Sequence, residues 1–381
     1  MSNAFSKEEK VAFDEILEGF HDQLVLSSLV NKFNTGMTDM ERSSDTIWRP
    51  QPYIAQSYDG SDATSNFNDS TQLSVPATIG YQKHSTALLT AKQLRDMLQE
   101  KRLGQAAAQK LASDINKSVT DVISNQGTVV VARSAAASGF DDVSECDATL
   151  NELGVDYANR CLGLSSRDYN GMASNLAARQ TINEMPTAAY RRAYVGEVSG
   201  FETYKMDYAN RLTAAAGTTV TINGANQYYT PRATSTASGP GEVSNVDIRI
   251  IEVLTGSGGS GTVKISPPII SGGGSTDAEE QYKNVSATPA DGAAITFLNI
   301  ATASVNPFWT KDSIELLPAS LGMHDKSSDQ IIRARTDQGI EVVMQRDFDI
   351  NTQQTKYRWD VLYGVVNLQP QMSGLMLFSQ T

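Results

Sequence analysis

A chain of 381 residues, 40% hydrophobic and 19% charged, can form two or three domains with sizeable cores. Its net charge of −12 repels phosphate and excludes the basic surface that specific nucleic-acid binding needs. Two cysteines, Cys146 and Cys161, are too few for a disulfide framework and suit a reducing cytoplasm. The charged start MSNAFSKEEK lacks the apolar run of a signal peptide, and no run approaches the ~20 apolar residues of a membrane span.

Ser6 and Glu9 have the spacing of a capping box. Val11, Phe13, Ile16, Leu17, Phe20, Leu24 and Val30 then predict an amphipathic helix to about Phe33. Its other face carries Glu8, Glu9, Asp14, Glu15, Glu18 and Asp22, either a solvated face or an acidic surface for a basic partner. ERSSDTIWRP (41–50) reads as a short extended element ending at Pro50. Residues 51–70 are rich in Gln, Asp, Ser and Asn, with Tyr53, Tyr58 and Phe67 among them. So long a polar segment is a disordered loop or a hairpin that reaches a neighbour. TQLSVPATIGYQ (71–82) returns as a strand.

Thr90 and Gln93 make a second capping box, and Asn125 to Gly127 supply a helix stop. Between them Leu94, Met97, Leu98, Ala108, Leu111, Ile115, Val119 and Val122 form one apolar stripe. The spacing predicts a helix over 90–127, roughly 54 Å long, with Gly104 as its weak point. VVVA (129–132) follows as a buried strand.

From Asp141 to Phe201 short helices and strands alternate. Helices are expected over 143–153, over 166–180 with Ser165 or Ser166 as cap, and over TAAYRRAYVGEV (187–198) after Pro186. A strand is expected over 159–164. At about Thr213 the composition shifts to Thr, Ser, Gly, Val and Ile. TVTI (219–222), VDIRIIEVL (246–254) and TVKIS (262–266) read as strands of a small all-β insert. The mixed style resumes near 298, with strands expected at 330–335, 340–346, 356–363 and 374–379.

The search for chemistry is empty. GSGGSG (256–261) fits G-x-G-x-x-G, but a strand-like segment follows where a dinucleotide site needs a helix, so it reads as a hairpin loop. His21, His84 and His324 lie in three separate segments with no zinc spacing. Asp347 and Asp349 share a strand face but read as a solvated strand end rather than an acid/base pair. Arg191 and Arg192 are the tightest basic group and fit local ion pairs. No catalytic, cofactor-binding or metal-ligating residue is assigned. A chain of this size with no site, a long loop, a long helix and a β-insert reads as structural rather than enzymatic.

RSSDTIWRP (42–50) resembles the Arg-Ser-Ser-x-Thr-Ile-Trp-x-Pro signature of the coat proteins of tailed phages in the Salmonella podovirus group. Arg42, Ser43, Ser44, Thr46, Ile47, Trp48 and Pro50 carry the match. AFDEILE (12–18), LRDMLQEKRLGQAAAQKLASDINKSV (94–119), GFETYKMDYANRLT (200–213), NPFWTKDSIELLP (306–318) and LYGV (362–365) resemble further family segments in the same order.

The resemblance implies an α+β, Hong Kong 97-type capsid fold with an inserted β-domain. The expected layout is an N-terminal arm (1–40); a peripheral domain (41–134 and 346–381) with an extended loop (48–78) and a spine helix (90–127); an axial domain (135–212 and 298–345); and the insert (213–297). The insert is shorter and richer in Gly and Ser than in the best-known relatives. Its loop 235–245 is a candidate contact between capsomers.

The implied function is a major capsid protein that forms pentamers and hexamers of itself in an icosahedral shell around double-stranded DNA, which it encloses without specific binding. The implied location is the virion, after a host-cytoplasm stage without membrane. Implied partners are a separate scaffolding protein, a portal protein and, as an open candidate, a decoration protein. Asp14, Glu15 and Glu18 are the candidate scaffold contact, and Gly104 the candidate spine hinge. Competing readings are the shell of a non-viral compartment of the same fold, or a phage tail or surface-binding protein. Some relatives of this fold crosslink subunits through a lysine on the extended loop. Residues 49–82 contain no Lys, so that amine is missing and shell stability is expected to be non-covalent. The mature shell should therefore run as monomers in denaturing, reducing electrophoresis; a ladder of covalent oligomers would contradict this.

Overall fold

Ala108, Leu111, Ile115 and Val119 recur every three or four residues in a run rich in Ala, Gln, Lys and Leu, which are strong helix formers. They form the buried side of a 30-residue helix, α2 (Met97–Gln126), about 45 Å long at ~1.5 Å per residue. The computed structural model describes residues 7–33, 46–51, 59–62, 64, 67, 72–90, 92, 97–179, 194–206, 208–212, 228–231, 248–257, 260–271, 282, 295–322, 331–336 and 339–380. Two compact units divide the chain. Met1–Trp48, Pro76–Val119 and Ile314–Val366 form one, and Arg49–Val75, Thr120–Ser313 and Asn367–Thr381 the other.

In the first unit, α1 (Lys7–Gln23) buries Phe13, Ile16 and Phe20. It meets α2 at Gly104, where a Cβ would run into Cδ1 of Ile16 and lie 3.7 Å from Cζ2 of Trp359. Glycine lets Ile16 seat at this crossing. An ion pair between Glu15 and Lys101 flanks it, exposed and worth about 0–1 kcal/mol. Beneath α2 lies a sheet ordered Asn31–Lys32, Ile314–Ala319, Gln354–Asn367, Glu341–Asp349 and Ile331–Arg335, with Tyr81–Thr90 also paired to Gln354–Asn367. The Tyr363 hydroxyl and Ser118 Oγ are hydrogen-bonded at 2.8 Å, which ties the sheet to the helix. Each fully buried aliphatic side chain of α2 contributes about 1.5–3 kcal/mol.

Three expectations are corrected here. The N-terminal helix stops at Gln23, not Phe33. A 3₁₀ turn (Leu26–Leu29) follows, in which the Ser27 and Ser28 hydroxyls donate to the carbonyls of Leu24 and Val25. Asn31–Lys32 then pairs in parallel with Glu315–Leu316. Second, Thr90 is a strand residue rather than the helix cap. Tyr81–Thr90 forms a ten-pair antiparallel ladder with Gln354–Tyr363, and this overrides the local capping pattern. The strand Glu341–Asp349 runs unbroken across positions 345 and 346. Its continuous ladder with Gln354–Val361 holds 341–345 and the paired 331–335 in the sheet of the first unit.

The third correction lies in the second unit. Tyr194–Val198, expected within a helix, is a strand. It pairs antiparallel with Phe201–Lys205 across Ser199 (φ 49°) and Gly200 (φ 77°), a tight turn whose positive φ values suit the Ser-Gly dipeptide. Residues 187–193 lie outside the described residues, as do 219–222 and 235–245. The main sheet of this unit runs Val129–Ala132, Ser373–Leu377, Asn306–Thr310, Arg160–Leu164, Phe201–Lys205 and Tyr194–Val198. Its alternating side chains fill a core on each face. Val129, Val131, Leu162, Phe308 and Met376 join Val143, Cys146, Leu150 and Met172 of the helices α3 (Phe140–Glu152) and α4 (Ser166–Arg179). Val130, Leu375 and Leu377 join Leu212 and Val305 on the other face.

Polar groups pin the helices of this unit. Ser165 caps α4: its Oγ accepts from Asp168 N at 3.2 Å and donates to the Asp168 carboxylate at 2.7 Å, while Asn306 bonds both residues. The buried Asp142 accepts from Ser138 N, Ser138 Oγ, Gly139 N and Arg133 Nε at the start of α3. Arg160, 1% exposed, donates to the Asp147 carboxylate, Asn151 Oδ1, and the carbonyls of Val155 and Asp156. Arg249, also buried, donates from Nη1 to Gly127 O at 3.4 Å, placing a cation at the negative end of α2. Within 213–297 the described strands Ser260–Ser266, Ile248–Ser257, Tyr228–Pro231 and Ile295–Phe297 form one four-stranded sheet in that order.

Both cysteines are free and fully buried. Burial pushes each thiol up, that of Cys161 to about 12. Neither should react with a maleimide in the folded chain at neutral pH, and both should react after denaturation, as mass spectrometry can count. Gly104→Ala should destabilise the first unit. Overpacking against Ile16, about 1–3 kcal/mol, outweighs or matches the ~1 kcal/mol gain in helix propensity. Ile16→Val removes the opposing methyl and should rescue the double variant in urea unfolding. A stabilised single Gly104→Ala variant would mean that Ile16 gives way freely.

Candidate assembly surfaces

Among the described residues, no group of three or more His, Cys, Asp or Glu could hold a metal ion. Also among them, no helix is long and apolar enough to cross a membrane. The glycine motif folds as the sequence implied. Gly256 pairs with Gly261 and Ser257 with Ser260 in an antiparallel hairpin. Asp347 and Asp349 alternate along the strand Glu341–Asp349. Asp349 Oδ1 accepts from Asn351 N at 3.0 Å and Oδ2 from Lys356 Nζ at 3.3 Å, so its carboxylate braces a turn. These bonds, that from Asn351 N foremost, hold its carboxyl below the usual range. His84 is exposed on Tyr81–Thr90. The side chain of His21, and the whole of Arg191, Arg192 and His324, lie outside the described residues.

What the described structure offers instead is surface. On α1, Asp14, Glu15 and Glu18 are all exposed, because Phe13, Ile16 and Phe20 take the inward positions of the same helix. Glu15 is held by Lys101, which leaves Asp14 and Glu18 as the outward pair of the three. Gly104 is a packing position against Ile16.

The signature residues Arg42, Ser43 and Ser44 lie outside the described residues. The rest of the signature builds a two-stranded ribbon from Thr46–Pro50 and Ser74–Thr78. Thr46 Oγ1 lies 3.0 Å from Thr78 Oγ1, and Gln51 N donates to Leu73 O at 2.7 Å. These two pairs set an antiparallel register. Thr46, Trp48 and Pro50 then share a face with Ser74, Pro76 and Thr78. Trp48 is 65% exposed there, and Pro50, Ser74, Pro76 and Thr78 are exposed with it. Ile47 and Ala77 take the more buried face. At the Gln51 end, the Gln51 side chain donates to Leu368 O at 2.7 Å, and Leu73 N donates to the Tyr282 hydroxyl at 3.2 Å. Sequence reading marked Trp48 but missed Pro76 and Tyr282. Pro76 carries a signal, since proline in a strand marks an edge; Tyr282 carries none.

The family described as "P22 coat protein - gene protein 5" matches residues 1–269 and 254–379. Among solved structures, that of Mycobacterium phage Che8 is 12% identical, with 92% of this chain and 90% of that one covered at a TM-score of 0.46. The capsid structure of cyanophage P-SCSP1u is 10% identical, with 92% and 86% covered at 0.47. The head structure of Helicobacter pylori bacteriophage KHP40 is 9% identical, with 89% and 87% covered at 0.47. The family match, which takes in the signature, α2 and the C-terminal strands, shows that the chain belongs to the P22 coat protein family, as a tailed-phage major capsid protein.

Proposed function

We propose that the chain assembles as pentamers and hexamers of itself into an icosahedral shell that encloses double-stranded DNA. The observation that carries this reading is the uncovered face of the ribbon, with Trp48 and Pro76 side by side. A Trp left 65% in water costs a free monomer solubility and gives a partner copy an anchor. The ribbon is the extended loop of the shell subunit, α1 belongs to its N-terminal arm, and α2 is its spine. The four-stranded sheet within 213–297 is the inserted domain, and the strands Arg160–Leu164, Tyr194–Val198, Phe201–Lys205 and Asn306–Thr310 belong to the axial domain. The net charge of −12 keeps the shell from gripping the genome it contains.

Assembly runs through a procapsid directed by a separate scaffolding protein. Asp14 and Glu18 meet its basic side chains, while Glu15 stays with Lys101. A portal protein occupies one vertex, a decoration protein is a further candidate partner, and the host cytoplasm is where the shell forms. Gly104 remains the candidate hinge of the spine, a role separate from its packing against Ile16.

Co-expression with a scaffolding protein of the same phage should give closed shells by electron microscopy. Asp14→Lys should leave a folded, soluble monomer and block those shells. Normal procapsids from that variant would remove the arm from the scaffold contact. An absence of shells from the unaltered chain would remove the shell reading itself.

A further inference from the structure

Two strands of the second unit, Arg160–Leu164 and Phe201–Lys205, pair in parallel, so both start at one end of their sheet and finish at the other. At the starting end lies the loop 153–159, which follows α3. No Lys or Arg occurs between Arg133 and Arg160, a stretch with six Asp and Glu. Arg133 engages Asp142 and Glu145, Arg160 engages Asp147, and Glu152 and Asp156 stay exposed at this end. Leu153 is 37% exposed beside them and Tyr157 75%. The loop is pinned rather than loose. Gly154 (φ 73°) ends the helix, with Gly154 N donating to Asn151 O and Val155 N to Leu150 O. The buried guanidinium of Arg160 holds the carbonyls of Val155 and Asp156, and Lys311 N donates to Asn159 O at 3.0 Å. An aromatic side chain on a backbone already fixed in place loses little entropy when it binds.

The finishing end of the same two strands is basic. Arg167 and Arg211 are exposed there, and Lys205 is half-buried with its Nζ 5.6 Å from the centre of the Tyr169 ring. Ser166 Oγ donates to Met206 O at 3.2 Å, which holds the start of α4 beside the end of Phe201–Lys205. Val305 N donates to Asn210 O, and Arg211 pairs with Ser304, which keeps Arg211 at this end. Asp168 is turned inward to Ser165 and Asn306, and Asp207 lies outside the described residues. Two copies at −12 each repel, so contact between copies is favoured where an acidic surface meets a basic one. Unlike surfaces at opposite ends of one sheet meet head to tail, and head-to-tail contacts close into rings. We infer that the second units of successive copies meet in this way: Tyr157, flanked by Glu152 and Asp156, seats against the Arg167 and Arg211 end of the next copy of this chain. The inference rests on the reading of the protein as a self-assembling shell subunit, and it names a contact apart from the ribbon and from α1.

Charge reversal with rescue tests it, in co-expression with a scaffolding protein of the same phage. Glu152→Lys with Asp156→Lys makes the first end basic, and Arg167→Glu with Arg211→Glu makes the second acidic. Lys at the end of α3 and Glu at the start of α4 suit the helix dipoles, so the unassembled chain should keep its thermal unfolding. Each pair sets like charges against each other and should lower the yield of closed shells in electron microscopy about ten-fold or more. All four changes together restore opposite charges and should recover the shells. Normal yield from either pair overturns the contact, and so does a loss that the four changes together fail to recover. Tyr157→Ala alters no charge; it should lower shell yield to a similar degree with unchanged unfolding, and normal yield from it removes Tyr157 as the anchor. Failure of the unaltered chain to form shells would overturn the shell reading, a result distinct from shells that ignore both reversals.

Discussion

A 30-residue helix with a single apolar stripe must have that stripe covered, and much of this structure follows from the covering of α2. In the first unit the cover comes from α1 and from the sheet under it. Trp359 reaches the region of Gly104, and the Tyr363 hydroxyl meets Ser118. Gly104 allows the close approach of Ile16, and Ile16 draws Phe13 and Phe20 inward with it. Once those three positions of α1 face inward, helical geometry sends Asp14 and Glu18 outward. The acidic surface of α1 is thus a consequence of packing.

The second unit uses a different device. Its helices are positioned by buried polar groups: Asp142 at the start of α3, Arg160 against residues near its end, and the Ser165–Asp168–Asn306 group at the start of α4. Such groups add modestly to net stability, but removing one partner strands the other in a low-dielectric interior at a cost of about 3–5 kcal/mol. They favour one arrangement of helix and sheet over near alternatives. A shell subunit must present the same surfaces in every copy, and this kind of specificity serves that end.

Three surfaces of the described residues stand out. The ribbon face with Trp48 and Pro76, the outward acids of α1 and the loop at Tyr157 each leave something unfinished in the monomer. None is strong alone. A shell repeats every surface of its subunit many times, so contacts that are weak singly can sum to a stable assembly. The acidity that opposes contact between copies also limits where contact can occur, which makes a basic surface informative.

The sequence by itself determined the elements whose signals are local. The stripe of α2, its stop at Gly127, the alternating C-terminal strands, the glycine hairpin and the ordered family segments were all legible, because periodicity and turn chemistry act over a few residues. It misled where a distant partner outbid a local pattern. The capping box at Thr90 lost to a ladder with residues more than 260 positions away. The helical appearance of Tyr194–Val198 lost to a hairpin that Ser199–Gly200 could have announced. The surfaces were legible only in part. Trp48 stood out in its signature, whereas Pro76, Tyr157 and the engagement of Glu15 by Lys101 emerged from the tertiary structure. Exposure and pairing belong to the packed chain: whether a side chain is free to bind depends on which others the core has already taken, and no run of neighbouring residues encodes that.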